Sequence, residues 1–285
     1  MKNETLKWAA IQPLTGGMYL GAEKFLGHPA EFILTFPKFA DPKYDKEGNV
    51  STAGNEYHLL SYLKKKNRLP NVKIFNRAPF KNDMSVDVEL MNHDLWTTSN
   101  EINLNDIDVV VAVPVCSGLS TATRATQEVL DERNSNMLWI AHYTLKKIQP
   151  KIYIFENAPT FWTERGDRVR QQFEELAKET DYSIAYYKTD TKYHDNCQKR
   201  PRTFIIFFKK DYCPKMNFEH IEVDAEEYLS RISENASQQI PLSIRKVNFI
   251  NEFCINYLKE QYGDDWREIA PDPLNTLLLM IYLIR

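Results

Sequence analysis

The stretch "VVVAVPVCSGLS", residues 109–120, decides how the rest of the chain is read. Residues 109–113 are five consecutive apolar residues, mostly β-branched. That pattern fits a strand buried on both faces rather than one with a wet side. Pro114 ends the run, and Cys116 follows on a loop of glycine and hydroxyl residues. A structural cysteine would more often sit inside the apolar run. A cysteine just past a strand's end is either part of a plain βα turn or is presented to whatever lies above the sheet.

Working outward from this strand, residues 8–11, 30–36, 152–155, 182–188 and 203–208 also read as strands, with 86–90 as a further candidate. Residues 18–26, 57–66, 125–147 and 166–180 have helical spacing. Residues 37–58 read as polar and irregular, turning at "DPKYDKEGN". Strands alternating with helices require crossover connections, so the expected fold class is α/β, a doubly wound and mostly parallel sheet. After residue 210 the texture becomes helical and polar, with Pro241 as a break. The expected division is a catalytic domain over residues 1–210 and a helical region over 211–285.

The 285 residues are 43% hydrophobic and 26% charged, with a net charge of −3, which gives no sign of a surface coated for nucleic acid. The four cysteines, Cys116, Cys197, Cys213 and Cys254, form no CxxC pair and have no metal-like spacing, which points to free thiols in a reducing compartment and to no metal. The opening residues are polar, unlike a signal peptide, and the apolar run over 277–284 is too short to span a bilayer. A cytoplasmic protein with no membrane partner is expected.

Three more motifs accompany the cysteine loop. "LTGGMYLG", residues 14–21, lies between a strand and a helix. Glycines there let a ligand approach the backbone, and a helix N-terminus favours an anionic group; the plain reading is a βα turn. Glu156 and Asn157, in "ENAP", end a buried strand, where a carboxylate is costly unless paired or protonated; the plain reading is a cap formed by Asn157 and Thr160. In "QKRPR", residues 198–202, Gln198, Arg200 and Arg202 alternate and can share one face of an extended segment. Two guanidiniums on one face suit a phosphate or a carbonyl oxygen, whereas the plain reading is a solvated turn.

In this order, the four motifs resemble the DNA (cytosine-5-)methyltransferase family over roughly residues 8–208. The resemblance implies a Rossmann-like methyltransferase domain that takes S-adenosylmethionine and double-stranded DNA, in a prokaryotic or viral host cytoplasm. It makes Cys116 the nucleophile, Glu156 the acid at the base, Asn157 the residue that orients the Pro-Cys loop, and Arg200 and Arg202 the groups that hold the base oxygen and phosphate. It assigns Thr15, Gly16, Gly17, Asp94 and Pro114 to the cofactor. Two alternatives share this logic: a catalytically impaired nucleic-acid-binding homologue and an RNA cytosine-5 methyltransferase.

The chain departs from the family pattern at several points. The loop reads Pro-Val-Cys where Pro-Pro-Cys is usual. Leu14 stands at the first glycine position, and no acidic residue ends the second strand, where the family holds the cofactor ribose. Residues 209–285 are too few for a full target-recognition domain and carry no late Gly-Asn signature. A partial recognition region, or a partner chain that supplies recognition, is therefore expected.

Overall fold

A computed structural model describes residues 5–44, 46, 50–54, 56–76, 84–96, 101–115, 117–119, 126–212, 220–233, 259–260 and 263. The chain divides into two units, residues 1–225 and 226–285. In chain order the elements are β1 (Trp8–Ile11), α1 (Gly17–Leu26), β2 (Phe32–Thr35), α2 (Pro37–Ala40), β3 (Pro42–Tyr44), β4 (Val50–Ala53), α3 (Tyr57–Lys65), β5 (Asn71–Phe75) and β6 (Leu90–Asn92). They continue with β7 (Val109–Ala112), α4 (Gln127–Tyr143), β8 (Ile152–Asn157), α5 (Glu164–Glu179), β9 (Ser183–Asp190), β10 (Pro201–Phe208) and α6 (Ala225–Ser233). Of the helical region expected over 211–285, much lies outside the described residues.

The eight-stranded sheet has the order β6-β5-β2-β1-β7-β8-β10-β9. The strands β5, β2, β1, β7 and β8 run parallel, while β6 and β10 run antiparallel to their neighbours. This is the doubly wound α/β sheet expected from the strand and helix alternation. The chain builds outward from β1 in one direction and then restarts at β7 in the other, so the strand order reverses between β1 and β7. In such sheets ligands bind at the carboxyl ends of the strands beside that reversal.

Both faces of the sheet are covered, which is why the central strands read as continuous apolar runs. Ala9, Ile11, Val110 and Ala112 join the core with α4 and α5, while Trp8, Ala10 and Val111 join the core with α1 and α3. α5 shows why such a helix forms at all: Val169, Phe173, Leu176 and Ala177 make one buried stripe, and Glu164 and Asp167 complement the dipole in its first turn. No helix among the described residues is long and apolar enough to cross a membrane.

Two segments differ from the sequence expectation. Residues 37–58 contain α2 and the β3–β4 hairpin rather than an irregular stretch. The strand expected at 86–90 falls instead at Leu90–Asn92, and β5, the true neighbour of β2, went unread. β5 hides because Lys73 interrupts it. The Lys73 side chain is nevertheless buried, with its ammonium on the side-chain oxygen of Asn92.

Candidate active site

The strand register sets up a row of residues along the carboxyl edge of the sheet. Ile11 pairs with Leu34 and with Ala112, and Ala112 pairs with Phe155. One residue further along, Thr35, Gln12, Val113 and Glu156 therefore stand side by side. At about 4.8 Å per strand the row spans roughly 14 Å. It brings together, from left to right, the Gly-rich turn, the cysteine loop and the Glu-Asn motif.

The Gly-rich turn leaves β1 through three left-handed residues, Gln12 (φ 49°), Leu14 (φ 47°) and Gly16 (φ 90°). Leu14 thus keeps the backbone that a glycine would adopt freely, at a cost of about 1–2 kcal/mol. Gly16 immediately precedes α1 as its N-cap, its amide donating to Pro13 O at 2.9 Å. A Cβ on Gly16 would meet Leu59 Cδ1 at 2.6 Å, whereas one on Gly17 would meet nothing within 4 Å. Thr15 and Gly17 are exposed, so the backbone at the start of α1 is open to an approaching group. The expected result for Gly16→Ala is a loss of about 1–3 kcal/mol by denaturant titration, from left-handed strain plus the Leu59 clash. A neutral outcome would show that the turn can rearrange.

Beneath this turn lies a group of buried polar side chains. Gln12, Thr35 and Glu56 are all fully buried. Among the described residues, neither amide atom of Gln12 nor either carboxylate oxygen of Glu56 has a partner within hydrogen-bond geometry. The Thr35 hydroxyl and Leu14 amide lie near the Glu56 carboxylate and favour its charge, but burial outweighs both and pushes the group up to about 8. The sequence shows no clear acidic residue at the end of β2. Glu56, immediately before α3, comes to that end because the excursion through α2 and the hairpin returns the chain there.

The raised Glu56 has a direct consequence for stability. The folded state prefers the protonated form, so its contribution is complete below the ordinary value of 4.5 and is lost as pH rises to about 8. Wild-type stability should fall over that window by on the order of a few kcal/mol, and Glu56→Gln should remove most of the slope. Urea midpoints at pH 5 and pH 9 measure this; identical slopes in both proteins would place the titration elsewhere.

Asp94, which the resemblance assigns to the cofactor, is exposed and lies just past β6, which runs antiparallel to β5. Its neighbours fold against the segment that follows β2: His93 Nε2 bonds to Asp41 Oδ1, and Trp96 Nε1 donates to Ala40 O at 3.1 Å. The Leu95 carbonyl accepts from Lys64 Nζ at 3.1 Å, near the C-terminus of α3.

Cys116 lies outside the described residues, but its flanks are firmly held. The Val113 amide donates to Gln12 O at 3.3 Å, and the Val115 amide donates to Asn136 Oδ1 on α4 at 3.0 Å. Pro114 is buried between them. Beyond the cysteine, Ser117–Leu119 form a 3₁₀ turn, and the Leu119 carbonyl accepts the Thr160 hydroxyl. Asn157, expected to orient the loop, is fully buried and bonds elsewhere: its Oδ1 accepts the Ala158 amide at 2.8 Å and its Nδ2 contacts Met137 Sδ at 3.2 Å. Among the described residues, Asn136 and Thr160 hold the loop instead. Asn136 carried no sequence signal beyond a polar residue in a helix.

Glu156 and Arg202 form an ion pair in which each side chain is 19% exposed. Phe204 pairs with Glu156 across the β8–β10 ladder, so Arg202, two residues earlier, shares the face of Glu156. Burial raises the Glu156 carboxyl above its ordinary value, although the Arg202 and Arg200 guanidiniums both oppose the rise. The Arg200 side chain is exposed, and its backbone amide donates to Asp190 Oδ1 at 2.9 Å, which closes the connection between β9 and β10. A carboxyl of this kind can hold a proton, give it up, and remain paired as the anion.

Several known proteins are similar to this chain. A curated relative, the type II methyltransferase M1.HphI of Haemophilus parahaemolyticus, is 25% identical over 130 residues, which cover 39% of this chain and 35% of that protein. The matched region thus spans about a third of the relative's length. Among solved structures, the Entamoeba histolytica methyltransferase EhMeth aligns with a TM-score of 0.48 at 12% identity, over 88% of this chain and 66% of that one. Spodoptera frugiperda DNMT2 aligns with a TM-score of 0.44 at 12% identity, over 75% of this chain and 53% of that one. The family described as C-5 cytosine-specific DNA methylase matches residues 70–272, well over half of the sequence, and the chain belongs to that family.

Proposed function

We propose that this chain transfers a methyl group from S-adenosylmethionine to carbon 5 of cytosine in DNA. The observation that carries the reading is the edge row, which sets the Glu156–Arg202 pair beside the cysteine loop and the glycine turn one strand further on. The residues present fit the cofactor. Thr15 and Gly17 are open at the helix start beside the buried Gly16, and among the described residues Gln12 and Glu56 have buried polar atoms without partners just below it. Glu56 would accept from the ribose hydroxyls, in the role left vacant at the end of β2. Pro114 would line the same crevice. When bound, the cofactor supplies an electrophilic methyl on a sulfonium.

Carbon 5 of cytosine is a poor nucleophile. The Cys116 thiolate adds to carbon 6 while Glu156 gives its proton to ring nitrogen 3, making carbon 5 an enamine carbon. Arg202 then stabilises the carboxylate left behind, and Arg200 reaches the base oxygen or a nearby phosphate. Carbon 5 takes the methyl, nitrogen 3 returns its proton to Glu156, a base removes the proton on carbon 5, and the thiolate leaves. A base stacked in a duplex cannot reach the loop, so the nucleotide is flipped out, at a cost of roughly a few kcal/mol.

Methyl-labelled cofactor offered with matched DNA and RNA tests the reading. Label at carbon 5 of DNA cytosine is the expected result. Label in RNA alone would make RNA the substrate, and binding without label would make this a recognition module. Residues 211–285 are proposed to contribute to target recognition, together with a partner chain if DNA is bound without sequence preference.

A further inference from the structure

We propose that Asn136 is a positioning residue for the reaction and acts through the Val115 amide. The inference rests on the reading of Cys116 as the nucleophile. The cysteine follows a short segment in which each available amide has an acceptor. Val113 is bonded to Gln12 of the chain leaving β1, Pro114 has no N–H, and Val115 is bonded to Asn136 Oδ1 at 3.0 Å. The first of these ties the loop to the sheet, and the second ties it to α4. The Val115 amide lies one residue before Cys116, so the direction of its peptide bears on where the chain departs toward the thiol. A side chain on the rigid α4 therefore sets the start of the nucleophile's loop.

The contact is specific in its chemistry. It needs an acceptor oxygen at the end of a side chain of this length, and it needs an N–H at position 115. Aspartate in place of Asn136 keeps the oxygen and alanine removes it. Proline in place of Val115 removes the donor and restricts the backbone directly. The geometry thus makes the two positions interdependent: once residue 115 has no N–H, the oxygen at residue 136 has nothing left to hold.

The test uses the full chain with DNA containing 5-fluorocytosine at saturating cofactor, and reads the rate of covalent complex formation beside cofactor affinity by calorimetry. Asn136→Ala should slow the complex between about 10- and 100-fold, the scale of a small misplacement of a reacting group, with cofactor affinity unchanged. Asn136→Asp should recover most of the rate. In a Val115→Pro background, Asn136→Ala should cause no further loss. Asn136→Ala at the wild-type rate, an aspartate variant as slow as the alanine one, or an undiminished loss beside Val115→Pro would each overturn the proposal. If Val115→Pro fails to fold, hydrogen exchange at the Val115 amide carries the test: protection should be lost in Asn136→Ala and kept in Asn136→Asp, and unchanged protection in both would overturn it. A wild-type chain that forms no complex would end the nucleophile reading and this inference with it; a wild-type complex without the coupling would end this inference alone.

Discussion

Replacing Cys116 with serine is expected to lower methyl transfer on the order of 10³-fold or more, the scale on which removal of a covalent nucleophile acts. A serine hydroxyl stays protonated at neutral pH and needs a strong base to attack a ring carbon, whereas a thiol is partly ionised and intrinsically nucleophilic. DNA containing 5-fluorocytosine gives the sharper readout. After methyl transfer, carbon 5 carries fluorine where a proton would have to leave, so the sulfur–carbon bond persists and the complex survives denaturing electrophoresis. The wild-type chain should give this band and Cys116→Ser should not. Melting temperature should barely move, because the substitution exchanges sulfur for oxygen and leaves the loop's described bonds, at Val113, Val115 and Leu119, intact. A serine variant that forms the complex at the wild-type rate would remove Cys116 from the mechanism.

Glu156→Gln should cost roughly 10²- to 10⁴-fold in kcat, the usual worth of a general acid, with little change in cofactor affinity. Glutamine keeps the shape and an oxygen for Arg202 but has no proton to give. The pH dependence carries the sign. Burial holds the Glu156 carboxyl above its ordinary value, so the acid form is abundant at low pH and the rate should fall as pH rises through the raised value. In Glu156→Gln that limb should be flat. The same shift makes the Glu156 contribution to folding complete at acid pH and lost as pH rises through the raised value, so stability and turnover should decline together on that side. A large loss of stability with unchanged turnover would make the Glu156–Arg202 pair structural.

The central strands and the helices that cover them were legible because burial on both faces leaves an uninterrupted apolar run, as at residues 109–113. β5 was not, because Lys73 and Asn71 break its pattern and the cost of burying Lys73 is met by Asn92, a residue on another strand. Of the site, Glu156, Arg202, Gly16 and Gly17 were legible as motifs and stand at one edge of the sheet. Glu56 was illegible because the β3–β4 excursion separates it in sequence from the strand end it serves. Asn136 shows a third limit, since a side chain that acts on another loop's backbone leaves no motif.

The place of β10 sets an order of assembly. Among the described residues β10 is the last strand of the sheet in the chain, yet it lies between β8 and β9, both made before it. A nascent chain that ends short of β10 has a gap in its sheet and unpaired edges on β8 and β9. It also lacks Arg202, so the acid on β8 has no counter-charge. Closing the gap requires pairing across a whole strand and helix of intervening chain, a non-local step of the kind that slows folding. The Glu156–Arg202 pair and the continuous sheet therefore form together, once β10 is in place.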